Sequence, residues 1–236
     1  MTFIPNKNTQ YTSLFEDCVL YLDMKKDAKD LINQYDGSAS NVTLTTDYLN
    51  IEDSAYSFNG SNSLISLSSF AATFDETQDY TFANWINTNT ISTGCSFGIG
   101  DRPSGGSGYF YMGLDTATNK YKMSVNFATP ENKVEATIVT NTWYHVVGTW
   151  KGSTGTMELF VNGISQGTAV ESGGFLQPIS AYVGQIPWGT PNILPWDGKI
   201  TDIIVWERKL STQEIKLLYD LQSKRYIYPY MKGGEK

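Results

Sequence analysis

Twelve short runs of apolar or alternating residues, each bounded by turn-forming Gly, Asn, Ser, Thr or Pro, restrict this chain to an architecture of many brief strands. They fall at residues 18–23, 55–58, 64–67, 80–87, 96–100, 109–114, 121–127, 134–139, 143–150, 157–161, 181–185 and 199–206. In the tenth run Met157, Leu159 and Val161 share one face, as a half-buried strand requires. Phe160 then lies on the opposite face, so this strand is either covered on both sides or meets a partner or loop there. Residues 151–155 separate two runs, and Asn162-Gly163 supplies the pair of positive φ angles that a type I′ hairpin turn requires. The period becomes helical only after Leu210. There Ser211 reads as an N-cap, Glu214 closes a capping box, and Ile215, Leu218, Tyr219 and Leu221 make the stripe to be buried. The fold class is therefore all-β, a two-sheet sandwich with a short C-terminal helix.

One domain accommodates all of these runs within 236 residues. Residues 1–16 are polar, contain Pro5 and have no period, which reads as an arm ordered by contact with something else. The sandwich occupies 17–222. In the tail, 223–236, Tyr226, Tyr228 and Tyr230 alternate around Ile227 and Pro229, which suits an extended segment docked along a surface.

The formal charge of −7 argues against nucleic acid as a partner, because phosphate contacts need clustered Lys and Arg. The basic excess after Arg208 reads as a solvated helix face. No apolar run has the length of a bilayer span, so membrane insertion is not expected, and the N-terminus has no signal-peptide pattern. Cys18 and Cys95 allow one bridge at most, and their pairing is open at this level.

Catalytic chemistry finds little to work with, and the chain is not expected to be an enzyme. A retaining glycosidase holds two carboxylates about 5 to 5.5 Å apart on one strand face. Glu52-Asp53 and Asp75-Glu76 are sequence neighbours that a strand would point in opposite directions. His145, the single histidine, stands in mid-strand. The glycine-rich stretch 104–108 is followed by a strand at Tyr109, whereas a phosphate cradle needs a helix there. Binding is better served. Residues 185–196 form a proline-stiffened loop with two indoles, Trp188 and Trp196, whose apolar faces and polar edges suit sugar rings or protein surfaces. Trp188 is divided between ligand contact and loop packing. Tyr109, Tyr111 and Asp101 complete the candidate set if the two loops meet.

Trp143, His145, Val146 and Thr149, followed by Leu159, Val161, Asn162 and Gly163, resemble the W-x-H-V-x-x-T and L-x-V-D/N-G signature of LamG-like domains in the concanavalin A-like lectin and glucanase superfamily. The run from Gly198 to Trp206, then Leu210-Ser211 and Glu214-Ile215, is similar to that family's closing strand and helix. Residues 19–23, 56–60 and 80–86 resemble its earlier strands. The resemblance covers roughly residues 17–222 and implies a jelly roll with one concave and one convex sheet. It implies a structural role for His145 and a packing role for Trp196. It further implies a non-catalytic module for carbohydrate recognition or adhesion; the alternatives are a structural virion-surface protein, a capsid or tail decoration whose arm and tail bind neighbouring chains, and, with less support from the residues, a polysaccharide lyase or hydrolase. The first two would place the chain outside the cell or on a virion surface. Members often carry one structural calcium. Here the first acid of the family's I-D-D is Thr201, which leaves Asp202, Asn59 and carbonyls near Gly60 as the candidate ligands, against a metal-free polar cluster.

Overall fold

The computed structural model describes residues 13–32, 34–71, 73–75, 77–100, 109–125, 131–171, 180–186 and 194–224. Two antiparallel sheets face each other as a jelly-roll sandwich. The first sheet contains β1 (Cys18–Leu22), β3 (Thr43–Thr45), β4 (Ala55–Asn59), β6 (Tyr80–Thr88), β11 (Trp143–Lys151), β12 (Thr156–Val161), β13 (Ile164–Val170) and β15 (Asp197–Trp206). Its order is β13-β12-β11-β6-β15-β4-β3, with β1 paired to the last residues of β15. The second sheet contains β2 (Ser38–Ser40), β5 (Leu64–Ser66), β7 (Gly94–Gly100), β8 (Tyr109–Leu114), β9 (Tyr121–Val125), β10 (Lys133–Ala136) and β14 (Ser180–Val183). It runs β10-β9-β8-β7-β14-β5-β2. A short helix, α1 (Ser68–Ala71), follows β5, and α2 (Thr212–Ser223) closes the domain.

The inner faces meet in one apolar core. Phe82, Ile86, Val146, Leu159, Ile200 and Val205 come from the first sheet, and Ile65, Phe97, Phe110, Met112, Met123 and Val183 from the second. Phe82 and Phe110 bridge the sheets with ring centroids 4.2 Å apart. The expected hairpin is present: Asn162 and Gly163 have φ of 51° and 76°, and Val161 pairs with Ile164 across the turn. The capping box of α2 is present with both of its hydrogen bonds.

A second core lies on the outer face of the first sheet, and it accounts for Phe160. Helix α2 lays Ile215, Leu218 and Leu221 over Ala83, Val147, Phe160 and Ile204. β12 is therefore covered on both faces. The helix buries Gln222 as well and leaves Tyr219 half-buried, where a fully apolar stripe ending in Tyr219 and Leu221 was expected.

Residues 13–16, assigned to the arm by sequence, are seated against the domain. Leu14 is fully buried in this second core, and the Trp206 indole N–H donates to the Leu14 carbonyl at 2.9 Å. The Arg208 guanidinium donates to the carbonyls of Ser13, Leu14 and Glu16 and pairs with Glu214 at 2.8 Å. The rest of the arm and the tyrosine-rich tail lie outside the described residues.

β13 had no counterpart among the sequence runs. Nearly all of it is exposed, including Ile164 and Val170, so no alternation marks it.

Candidate functional site

Two residues of the ligand set expected from sequence, Tyr111 and Trp196, are buried, and the other three lie outside the described residues in whole or in side chain. Tyr111, on the outer face of β8, is fully buried, and its hydroxyl donates to the carbonyls of Leu114 at 2.7 Å and Gly94 at 3.0 Å. Lys122 covers its ring at 5.3 Å from the centroid. Tyr111 thus packs with Cys95 and Ile186 and does not face a ligand. Trp196 is also corrected: it is fully buried in the main core, with its backbone N–H bonded to Gly184 and its carbonyl to Gly60. Its indole has no surface to offer. Tyr109 opens β8 opposite Gly100, with its side chain outside the described residues, as are Asp101 and Trp188. The loop that bears Trp188 leaves β14 close across the second sheet. A Cβ on Gly98 would stand 3.2 Å from the Gln185 oxygen and the Ile186 Cα, so glycine is what lets this backbone approach.

The candidate calcium ligands are separated. Asp197 pairs with Asn59, and Asp202 lies five residues further along β15, roughly 16 Å away at about 3.3 Å per residue. The Asn59 carboxamide oxygen accepts from the backbone N–H groups of Ser61, Asn62 and Ser63, shaping its own turn, and Gly60 supplies the positive φ (68°) of that turn.

Asp202 has a different role. It sits at a β-bulge of β15 with φ of 50°, buried, and accepts from the hydroxyls of Tyr21 at 3.1 Å and Tyr48 at 2.9 Å. Burial pushes its carboxyl up to about 6; Asp23 pushes the same way, while Lys25 and the two tyrosine hydroxyls pull against it. A carboxyl whose native pKa exceeds its ordinary value binds its proton more tightly when folded. Its contribution to stability is therefore complete below about pH 4 and is lost as pH rises through about 6. The variant Asp202→Asn should lack this dependence. Between pH 7.5 and 5 the wild type should gain on the order of 1 kcal/mol or more relative to the variant in urea unfolding. A constant difference across that range would mean that Asp202 titrates normally.

Tyr48, held by Asp202, borders a candidate surface on the outer face of the first sheet. The loop 46–54 is shaped by Asp47, whose carboxylate accepts from the N–H groups of Leu49 at 2.8 Å and Ile51 at 2.9 Å. It lays the Tyr48 ring flat on Trp85, 3.8 Å between centroids and 11° between planes. Trp85 in turn donates its indole N–H to Gln222 of α2 at 3.1 Å. The loop thus meets Trp85 through Tyr48 and Thr201 through Ser54, both buried on the outer face of the first sheet.

Immediately beside that wall, the next cross-strand row is partly open: Thr43 is exposed, Ser57, Lys199 and Trp143 are half-buried, and Asn87 is nearly covered at 9% exposure. Register places Thr43, Ser57, Lys199, Asn87 and Trp143 side by side on adjacent strands. They point outward, because Tyr56, Ile86 and Ile200, one residue away on three of the strands, point into the core. Trp143 is half-buried and meets Tyr48 edge to face at 6.2 Å and 74°. The side chains of Ser57, Lys199, Asn87 and Trp143 make no hydrogen bond or ion pair among the described residues. At about 4.8 Å per strand, the row from Ser57 to Trp143 spans roughly 14 Å. Asp197 and Asn89, joined by a 2.8 Å side-chain hydrogen bond, border it at the end of the sheet. The arrangement is a shelf: an indole against an aromatic wall, followed by an amide, an ammonium and a hydroxyl. Sequence reasoning used Trp143 as part of a signature and passed over Asn87 and Lys199. Their outward parity opposite Ile86 and Ile200 was a usable signal, but the pairing that aligns them was not.

His145 lies behind this wall, fully buried between Trp85 and Tyr219 at 5.3 Å and 5.9 Å. Burial lowers its pKa to about 3, so the ring is neutral and closed to solvent. Both cysteines are free thiols; burial pushes Cys18 up to about 12 and raises Cys95 well above its ordinary value, far from a reactive thiolate. Among the described residues no cluster of His, Cys, Asp or Glu could hold a metal ion, and no helix is long and apolar enough to cross a membrane.

Two packed antiparallel sheets, a helix on one outer face and a partly open polar and aromatic shelf beside it define a jelly roll of the lectin type. The family model described as the concanavalin A-like lectin/glucanases superfamily, a laminin G type, matches residues 59–216, and the chain belongs to that superfamily. Pentraxin-related protein PTX3 of Mus musculus is 34% identical over 102 residues, covering 36% of this chain and 26% of that protein. The PTX3 of Homo sapiens is 32% identical over the same length, and this chain spans about a quarter of these curated relatives. Among solved structures, domain 4 of AbnA, a GH43 extracellular arabinanase from Geobacillus stearothermophilus in complex with arabinotriose, superposes with a TM-score of 0.69 at 15% identity. That likeness covers 86% of this chain and 98% of that one. A structure describing ganglioside-dependent cell entry of botulinum neurotoxin type C gives 0.63 at 14% identity, over 89% of this chain and 52% of the other. Trypanosoma rangeli sialidase gives 0.63 at 17%, over 88% and 33%.

Proposed function

We propose that this protein is a non-catalytic carbohydrate-binding module and that the shelf on its first sheet is where a glycan binds. The observation that carries the reading is the transverse row Ser57, Lys199, Asn87 and Trp143, with its polar groups unengaged and its indole set against Tyr48. A sugar presents an apolar face of C–H groups and a rim of hydroxyls. An indole stacks on the first, while an amide, an ammonium and a hydroxyl spaced about 5 Å apart match the second. The length of the row suits an oligosaccharide of two or three rings lying across the strands. The superfamily supports this reading, as do a neighbour crystallised with arabinotriose and another whose cell entry involves gangliosides.

The reading is tested by applying the labelled protein, and Asn87→Ala beside it, to a broad glycan array. We expect a defined subset of glycans to bind the wild type, with signal reduced about five- to tenfold in the variant, since a lost hydrogen bond to a neutral partner is worth roughly 1 to 1.5 kcal/mol. A blank array with folded protein, or equal binding by the two proteins, would contradict the proposal.

A further inference from the structure

The calcium implied by the sequence resemblance can be tested for fit where β1, the loop 46–54 and β15 meet, because carboxylates and loop carbonyls converge there. They are already engaged. Both oxygens of Asp202 accept tyrosine hydroxyls. The Thr201 hydroxyl reaches the Ser54 carbonyl at 2.8 Å and the Asp23 carbonyl at 3.3 Å, filling the space between two oxygens that would otherwise repel. Asp23 accepts both the Lys25 ammonium and the Lys25 backbone N–H at 3.2 Å. Lys26 ties the same turn to the Asp53 carbonyl at 3.0 Å. A calcium ion takes six to eight oxygens, and this junction offers carboxylates already balanced by an ammonium and carbonyls already held by hydroxyl and amide donors.

We propose that Lys25 and Thr201 serve as a built-in substitute for a cation, closing this junction and seating the Tyr48 loop without calcium. The turn has the strain that such a closure must hold. Met24, Lys26, Asp53 and Asp202 have φ of 54°, 72°, 53° and 50°, a region non-glycine residues occupy only when their surroundings fix them. A hydroxyl at 201 is central to the argument. A carboxylate there would face two carbonyl oxygens and require an ion between them, whereas threonine places its one hydroxyl proton between them, closer to the Ser54 carbonyl. The lysine supplies the positive charge beside Asp23 and lowers the cost of ionising Asp202. The groups that face Asp202 are Tyr21 from β1, Asp23 and Lys25 from the turn after it, and Tyr48 from the loop 46–54.

The test uses stability alone, so it stands or falls independently of whether the shelf binds a sugar. The melting temperature of the full chain is measured at pH 7.5 with a chelator and with millimolar CaCl2, and the two values should agree within about 1 °C. A rise of about 5 °C or more with calcium would overturn the proposal. In parallel Lys25→Met, which removes the charge, and Lys25→Arg, which keeps it, are compared with the wild type at pH 7.5 in the presence of chelator. Lys25→Met should melt several degrees lower, and Lys25→Arg should recover most of that loss. An equal deficit in the two variants would assign Lys25 to packing and refute its role as a replacement charge.

Discussion

Replacing Trp206 by alanine is expected to destabilise the domain by about 3 to 5 kcal/mol, the usual cost of deleting a fully buried aromatic side chain. For a chain of this size that corresponds to a fall of roughly 10 °C in melting temperature. The size of the effect follows from where the indole sits. It is inaccessible to solvent in the core between the first sheet and α2, lies 6.2 Å from the Phe15 ring, and donates its N–H to the Leu14 carbonyl. Truncation would open a cavity under the segment 13–16 and remove the shorter of the two hydrogen bonds to that carbonyl, leaving only the Arg208 guanidinium at 3.2 Å. Trp206→Phe should recover most of the packing and still lose about 1 kcal/mol for the hydrogen bond. Urea unfolding of both variants measures the two parts separately. A loss below about 1 kcal/mol for the alanine variant would show that the N-terminal segment and the helix contribute little to the folded state.

Trp143→Ala should behave in the opposite way, with a small effect on folding and a large one on binding. Its side chain is half-buried, so removing it forfeits an edge contact with Tyr48 and little else. Binding should weaken by about 2 kcal/mol or more, roughly thirtyfold, because an aromatic anchor dominates a small interface. The two tryptophans therefore separate stability from recognition within one sheet. Trp206 on β15 is covered by the N-terminal segment and α2; Trp143 on β11 stands where neither reaches.

That division was only partly legible in the sequence. Local signals were read correctly because they are set by local chemistry: the positive φ pair at Asn162-Gly163, the Ser211–Glu214 capping box, and the apolar parity of Met157, Leu159 and Val161. Phe160 even announced the second core, although only the fold shows that α2 supplies the cover. Non-local features were not legible. Nothing around Tyr48 marks it as the residue that stacks on Trp85, since the two are brought together by a loop folding over a sheet. The bulge at Thr201–Asp202 reverses what simple alternation predicts for Asp202, so an acid expected to face away from its neighbour is buried between two tyrosines. Tyr111 and Trp196 looked suited to ligand contact because aromatic residues near loops often are. Their burial depends on the covering strands and turns, which composition does not reveal.

The shelf also explains why the outer face of the first sheet is not simply packing. Helix α2 and the loop 46–54 seal its middle, and the row beside them keeps polar side chains without partners among the described residues. Burying the row further would leave the Lys199 ammonium unpaired, at a cost of several kcal/mol. Left half-open, Lys199 and Ser57 are available to hydroxyl-rich ligands.

The most direct test is a calorimetric titration with the oligosaccharide that binds most strongly on the array, carried out on the wild type, Trp143→Ala and Tyr182→Ala. Tyr182 is a partly exposed aromatic residue on β14, on the outer face of the second sheet, and serves as the control for the opposite side of the sandwich. The account predicts that affinity falls at least about thirtyfold in Trp143→Ala and is unchanged in Tyr182→Ala, with both variants folded. Full affinity in Trp143→Ala together with loss in Tyr182→Ala would place the glycan on the second sheet and contradict the shelf as the binding site.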